Sequence, residues 1–133
     1  MSLISTLKSL FTPAPRTSPA DAAVRVRAGS AVLVDVREPA EWAGGVAESS
    51  TLLPLSDLQG ARTLWQPFLA GLAGREIVVY CASGMRSGLA ARVLSGEGHR
   101  ASNAGGLRDL ANTGWPIVSP SAKVTSARKK GTP

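Results

Sequence analysis

At 133 residues, 44% of them hydrophobic, the chain has room for one domain whose core needs no covalent staple. A single cysteine, Cys81, excludes an intramolecular disulfide, and a single histidine, His99, leaves a structural zinc site short of its roughly four N/S ligands. The formal charge of +6 owes much to a tail bearing Lys123, Arg128, Lys129 and Lys130; with one Tyr and two Phe to stack on bases, no nucleic-acid partner is expected.

The N-terminal stretch MSLISTLKSLFTPAP spaces Leu3, Ile4, Leu7, Leu10 and Phe11 as a helix does. It lacks the apolar core and cleavage site of a signal peptide, is too short to span a bilayer, and carries only Lys8 as a cation. A helix docked on the domain or on a neighbouring subunit is expected there, not a membrane element. Pro13, Pro15 and Pro19 mark a linker. Residues 1–17 are thus read as an amphipathic segment with a proline-rich linker, 18–118 as the domain, and 119–133 as a basic, disordered tail.

Ser18 as cap, Pro19 at the first helical position, Asp21 in the first turn and Gly29 as a stop predict a helix over SPADAAVRVRAG. The unalternating run AVLVDV, 31–36, predicts a strand buried on both faces. EPAEWAG offers a short helix, TLLPL a weaker strand at 51–55, and 60–73 a helix that Pro67 must bend or break. EIVVYC, 76–81, is the clearest central strand; RSGLAARVLSGEG is the helix after it. A strand near 100–103 and a helix after Gly106 complete an α/β fold, a small parallel sheet with helices on both faces.

Cys81 falls at the carboxyl end of that central strand, where open parallel sheets bind ligands. By position alone, a lone cysteine there is more often a small buried hydrophobe. The loop CASGMRSG alters the balance, because its small residues and glycines let the backbone curl and turn several N–H groups inward. With the positive end of the next helix, such amides make an anion cradle and lower a thiol pKa. Arg86 at a helix start is disfavoured unless it has an acceptor or an anion to meet.

LVDVREPAEWAGG, IVVYCASGMRSGLAARVL and NAGGLRDLANTGWPIV, in this order and spacing, resemble a single-domain rhodanese, and CASGMRS fits the family's C-x-x-G-x-R-[ST] loop. The resemblance covers roughly residues 18–118. It implies a sulfurtransferase in which the Cys81 thiolate takes sulfur from a donor such as thiosulfate and passes it to a thiol or protein acceptor, by ping-pong covalent catalysis. It further implies that the amides from Ala82 through Ser83, Gly84, Met85 and Arg86 to Ser87 hold the substrate anion and the persulfide. By the same resemblance Arg86 braces the loop or attracts the anion, and Asp35 and Arg37 support the site. A local structural ion pair explains Asp35 and Arg37 equally well.

GVAESS replaces the family's usual G-H-I-x-G-A, so Val46 stands where a histidine helps structure the site, which bears on geometry and efficiency, not on the nucleophile. Leu110 takes the place of a frequent tryptophan; Trp115 and His99 are expected to be structural. A cysteine phosphatase or arsenate reductase would place the loop arginine one position further on, where this chain has Ser87. A persulfide carrier fed by a partner protein and a non-catalytic binding module on the same fold remain as alternatives. No metal or organic cofactor is implied, no membrane partner is expected, and a reducing, cytoplasmic compartment suits a lone activated thiol.

Overall fold

The runs AVLVD and EIVVYC have apolar residues at almost every position, so neither strand can leave a face in water. In the computed structural model, which describes residues 13–120, they are β1 (Ala31–Asp35) and β4 (Glu76–Cys81), paired in parallel from Ala31 opposite Glu76 to Asp35 opposite Tyr80. With β3 (Thr51–Leu52) and β5 (Ala101–Gly106) they form a four-stranded parallel sheet in the order β3-β1-β4-β5. Both tails as read from the sequence, up to residue 12 and from 121 onward, lie outside the described residues.

Alternate residues of the two central strands feed two cores, as the strand period of two requires. Val34, Ile77, Val79 and Cys81 pack with α3 (Leu55–Leu58), α4 (Trp65–Ala70) and α5 (Met85–Gly96). Leu33, Val78 and Tyr80 pack on the other side with α1 (Pro19–Arg27) and α6 (Leu107–Asn112). Helix α1 starts as the sequence predicts, with the Ser18 hydroxyl accepting from the Asp21 amide at 3.1 Å. Among the described residues, no helix is long and apolar enough to cross a membrane.

Three elements differ from the sequence reading, each for a local reason. Strand β3 ends at Leu52: the Leu53 and Leu55 amides still donate to the Asp35 and Val36 carbonyls, but Pro54 caps α3, which begins at Leu55. The helix expected over 60–73 is confined to α4. The Asp57 carboxylate accepts from the amides of Thr63, Leu64 and Trp65 at 2.9–3.0 Å, and so fixes a loop before α4. Pro67 falls in the first turn of α4, where its missing N–H has no helical partner to lose. An antiparallel pair, β2 (Val46–Ala47) with β6 (Ile117–Val118), was not expected from the sequence; two-residue strands show no period. The short helix expected in EPAEWAG is α2 (Pro39–Trp42).

Trp65 is fully buried, donates its indole N–H to the Pro54 carbonyl at 3.0 Å, and meets the Phe68 ring edge-on. Trp65→Ala is expected to cost about 3–5 kcal/mol in equilibrium denaturation, through cavity formation and the orphaned carbonyl. A loss within about 1 kcal/mol would contradict this packing account.

Candidate active site

The turn from β4 into α5 sets the geometry of the cysteine. Gly84 takes φ of 100°, a left-handed conformation, and a Cβ there would come within 3.3 Å of the Gly105 Cα. The turn aims the start of α5 at Cys81. The Gly84 amide donates to Sγ at 3.0 Å, the Ser87 amide at 3.4 Å and the Ser87 hydroxyl at 3.3 Å. Gly106 closes the other side, where any Cβ would collide with the Ala82 carbonyl. Cys81 is fully buried while Ala82, Ser83 and Met85 are exposed.

Burial alone would push the Cys81 thiol up. The Ser87 hydroxyl and the amides of Ser87, Gly84 and Ser83 outweigh it, and the thiol pKa lies below its ordinary value. Of the sequence-predicted loop residues, Ser83, Gly84 and Ser87 therefore bring groups to the sulfur.

Arg86 does not point a free cation at the site. Its Nη1 and Nη2 donate to both carboxylate oxygens of Glu41, on α2, at 2.6 and 2.8 Å. The Arg86 hydrogen bonds, with a smaller contribution from the Glu38 amide, hold the Glu41 carboxyl at about 2. Glu41 was missed in the sequence reading, and only its acidic type in a short helix could have signalled it.

Asp35 and Arg37 stand one step further out. Arg37 donates to both Asp35 oxygens at 2.9–3.1 Å, and also to the carbonyls of Gly45 at 2.7 Å and Glu41 at 3.3 Å. Asp35 is wholly buried and Arg37 is 6% exposed. Neither is bonded to Cys81; together they anchor the helix that carries Glu41.

A second missed residue is Asn103, on β5. Its Oδ1 accepts from the Ser87 hydroxyl at 2.7 Å and the Gly105 amide at 2.9 Å, and its Nδ2 donates to the Gly84 carbonyl at 3.0 Å. An asparagine buried within a strand was the available signal. Val46 is fully buried in β2, His99 lies in the turn before β5 with its amide on the Leu94 carbonyl, and Trp115 donates to the Glu48 carbonyl. A cleft of about 310 Å³ lies between α1 and the Thr113–Pro116 turn, with none of the Cys81 loop in its lining. Among the described residues, no group of three His, Cys, Asp or Glu could hold a metal ion.

The family described as Rhodanese-like domain matches residues 18–112. The chain belongs to that family. A Sulfurtransferase of Allochromatium vinosum is 38% identical over 91 residues, covering 67% of this chain and 79% of that protein. A Schizosaccharomyces pombe protein, provisionally named a mitochondrial thiosulfate sulfurtransferase, is 36% identical over 78 residues; the match covers 53% of this chain and 55% of the relative. The chain thus spans about half the length of the yeast relative. The human single domain sulfurtransferase TSTD1 superposes with a TM-score of 0.60 at 28% identity, over 74% of this chain and 96% of that one. The four-stranded parallel sheet is the fold these rhodanese-like neighbours share.

Because the Glu41 pKa in the folded chain lies below its ordinary 4.5, the ion pair contributes stability above about pH 4.5 and loses it as pH falls toward about 2. The gap in melting temperature between wild type and Glu41→Gln should be full at pH 6 and shrink steadily below pH 4.5. A gap that does not change with pH would mean that the carboxylate is not what holds Arg86.

Proposed function

We propose that this rhodanese-like chain is a sulfurtransferase that carries sulfane sulfur as a persulfide on Cys81. The observation that carries the reading is the ring of donors on Sγ, the amides of Gly84 and Ser87 and the Ser87 hydroxyl, at a thiol whose pKa is lowered. Such a site stabilises negative charge on sulfur and needs no histidine base.

With thiosulfate as donor, the Cys81 thiolate attacks the outer sulfur. An Sγ–S bond forms, the S–S bond of thiosulfate breaks, and sulfite leaves with the bonding pair. Cys81 persulfide then bears the negative charge on its outer sulfur, to which the loop amides from Ala82 to Ser87 donate. An acceptor thiolate, or cyanide, attacks that sulfur and departs as persulfide or thiocyanate, and the Cys81 thiolate is regenerated. The Asp35–Arg37 pair braces the site in this scheme and does not touch substrate.

A persulfide carrier is the second reading, and one observation favours it. Arg86 is engaged by Glu41, so the loop offers a small dianion backbone dipoles and no unpaired guanidinium. A partner protein that delivers sulfur from its own persulfide needs no such cation. Either role requires the thiol to return to its reduced form, which a reducing compartment such as the cytoplasm supports.

Intact-mass measurement after brief exposure to thiosulfate tests the reading. The protein should gain one sulfur atom, lose it to cyanide, and gain nothing as Cys81→Ser. Persulfide formation only from a protein donor would establish the carrier, and none from either donor would overturn both. Cys81→Ser should also melt within a few degrees of wild type, since serine too accepts helix-end amides; a large loss would favour a packing role for the thiol.

A further inference from the structure

The Ser87 hydroxyl has one proton and three acceptors within reach: Asn103 Oδ1 at 2.7 Å, Cys81 Sγ at 3.3 Å and the Gly105 carbonyl at 3.4 Å. One proton cannot serve them all. The short contact to Asn103 fits a resting state in which the thiol S–H donates to Ser87 Oγ and the hydroxyl donates to Oδ1. When the thiol ionises, the sulfur has no proton left to give, and the hydroxyl must turn from Asn103 to satisfy it.

Asn103 is built to release that proton. Its Oδ1 keeps the Gly105 amide at 2.9 Å whichever way the hydroxyl points, so no buried acceptor is orphaned by the change. Its orientation is fixed, because a flipped amide would aim Nδ2 at the Gly105 N–H and Oδ1 at the Gly84 carbonyl. The backbone on either side is held as well: the Asn103 amide donates to the Pro15 carbonyl at 2.8 Å, and its carbonyl accepts from the Thr17 amide at 3.1 Å.

We infer that Asn103 is a positioning residue that competes with the Cys81 sulfur for the Ser87 proton and so sets how readily the thiol gives up its own. This rests on the reading of Cys81 as the nucleophile. The charged groups near the loop are Arg86 with Glu41, and Asp109, which accepts from the Gly106 amide at 2.8 Å. Replacing the uncharged Asn103 by alanine alters none of these charges. Its effect on the thiol must therefore come through Ser87 or through the backbone it holds, the Gly84 carbonyl and the Gly105 amide.

The two routes have opposite signs. Loss of a competing acceptor frees the hydroxyl for the thiolate and makes Cys81 more acidic, whereas simple loosening of the loop withdraws amides and makes it less acidic. The test is the pH dependence of Cys81 alkylation by iodoacetamide in wild type, Asn103→Ala, Ser87→Ala and the double variant, with thermal melts to confirm folding. The midpoint should fall by about half to one pH unit in Asn103→Ala and rise in Ser87→Ala, and Asn103→Ala should have little effect once Ser87 is alanine. Asn103→Asp, nearly isosteric and a stronger acceptor, should raise the midpoint, by less when Ser87 is alanine.

A midpoint that rises or stays put in Asn103→Ala would overturn the inference, as would shifts that persist undiminished in the Ser87→Ala background. Should alanine at 103 unfold the domain, the aspartate pair alone decides between these outcomes. The readout needs no sulfur transfer. A wild-type cysteine that resists alkylation throughout would instead defeat the nucleophile reading itself.

Discussion

The sulfur of Cys81 sits where the cap of a helix belongs. Helix α5 begins after Gly84, which has no side chain to satisfy the first amides of the helix, and Sγ accepts from Gly84 and Ser87 in its place. Capping the helix and holding charge on the sulfur are one interaction. A thiolate satisfies those donors better than a thiol does, because it also meets the positive end of the α5 dipole. Much of the surrounding structure serves to keep that short turn in register.

Two supports reach the turn from different strands. From β1, Arg37 joins Asp35 to the carbonyls of Glu41 and Gly45, and Glu41 in turn clamps Arg86 at the start of α5. From β5, Asn103 ties the Gly84 carbonyl and the Ser87 hydroxyl. Removing Asp35 or Arg37 would leave its partner charged and buried, so damage there would reach the loop indirectly. The first support fixes where the helix starts, and the second fixes where a proton goes. The cation that the loop motif advertises is consumed by the first, which leaves the Ser87 hydroxyl and the backbone amides as the donors at the sulfur.

Much of this was legible locally. The apolar run ending in Cys81, the small-residue loop and the Ser18–Pro19–Asp21 start of α1 each encode their structure within a few residues, and each lies where the sequence places it. What escaped reading depends on partners far apart in the chain. Glu41 and Arg86 are 45 residues apart, and Asn103 follows Ser87 by 16, so no periodicity links them. The overlong helix expected over 60–73 failed for a similar reason. Asp57 captures three amides leading into α4, an arrangement that composition does not reveal. Val46, where a histidine was looked for, fills a buried position in β2, and the donors that surround Cys81 come from the loop and α5.

The central claim is that the loop makes Cys81 a thiolate-forming residue although it is buried. The most direct measurement is an ultraviolet titration of the thiolate absorbance in the folded wild-type protein, with Cys81→Ser as the blank. The account predicts a single ionisation with a midpoint below the ordinary cysteine value of about 8.5. A midpoint above that value would show that burial wins over the amides, and Cys81 would then be an inert core thiol.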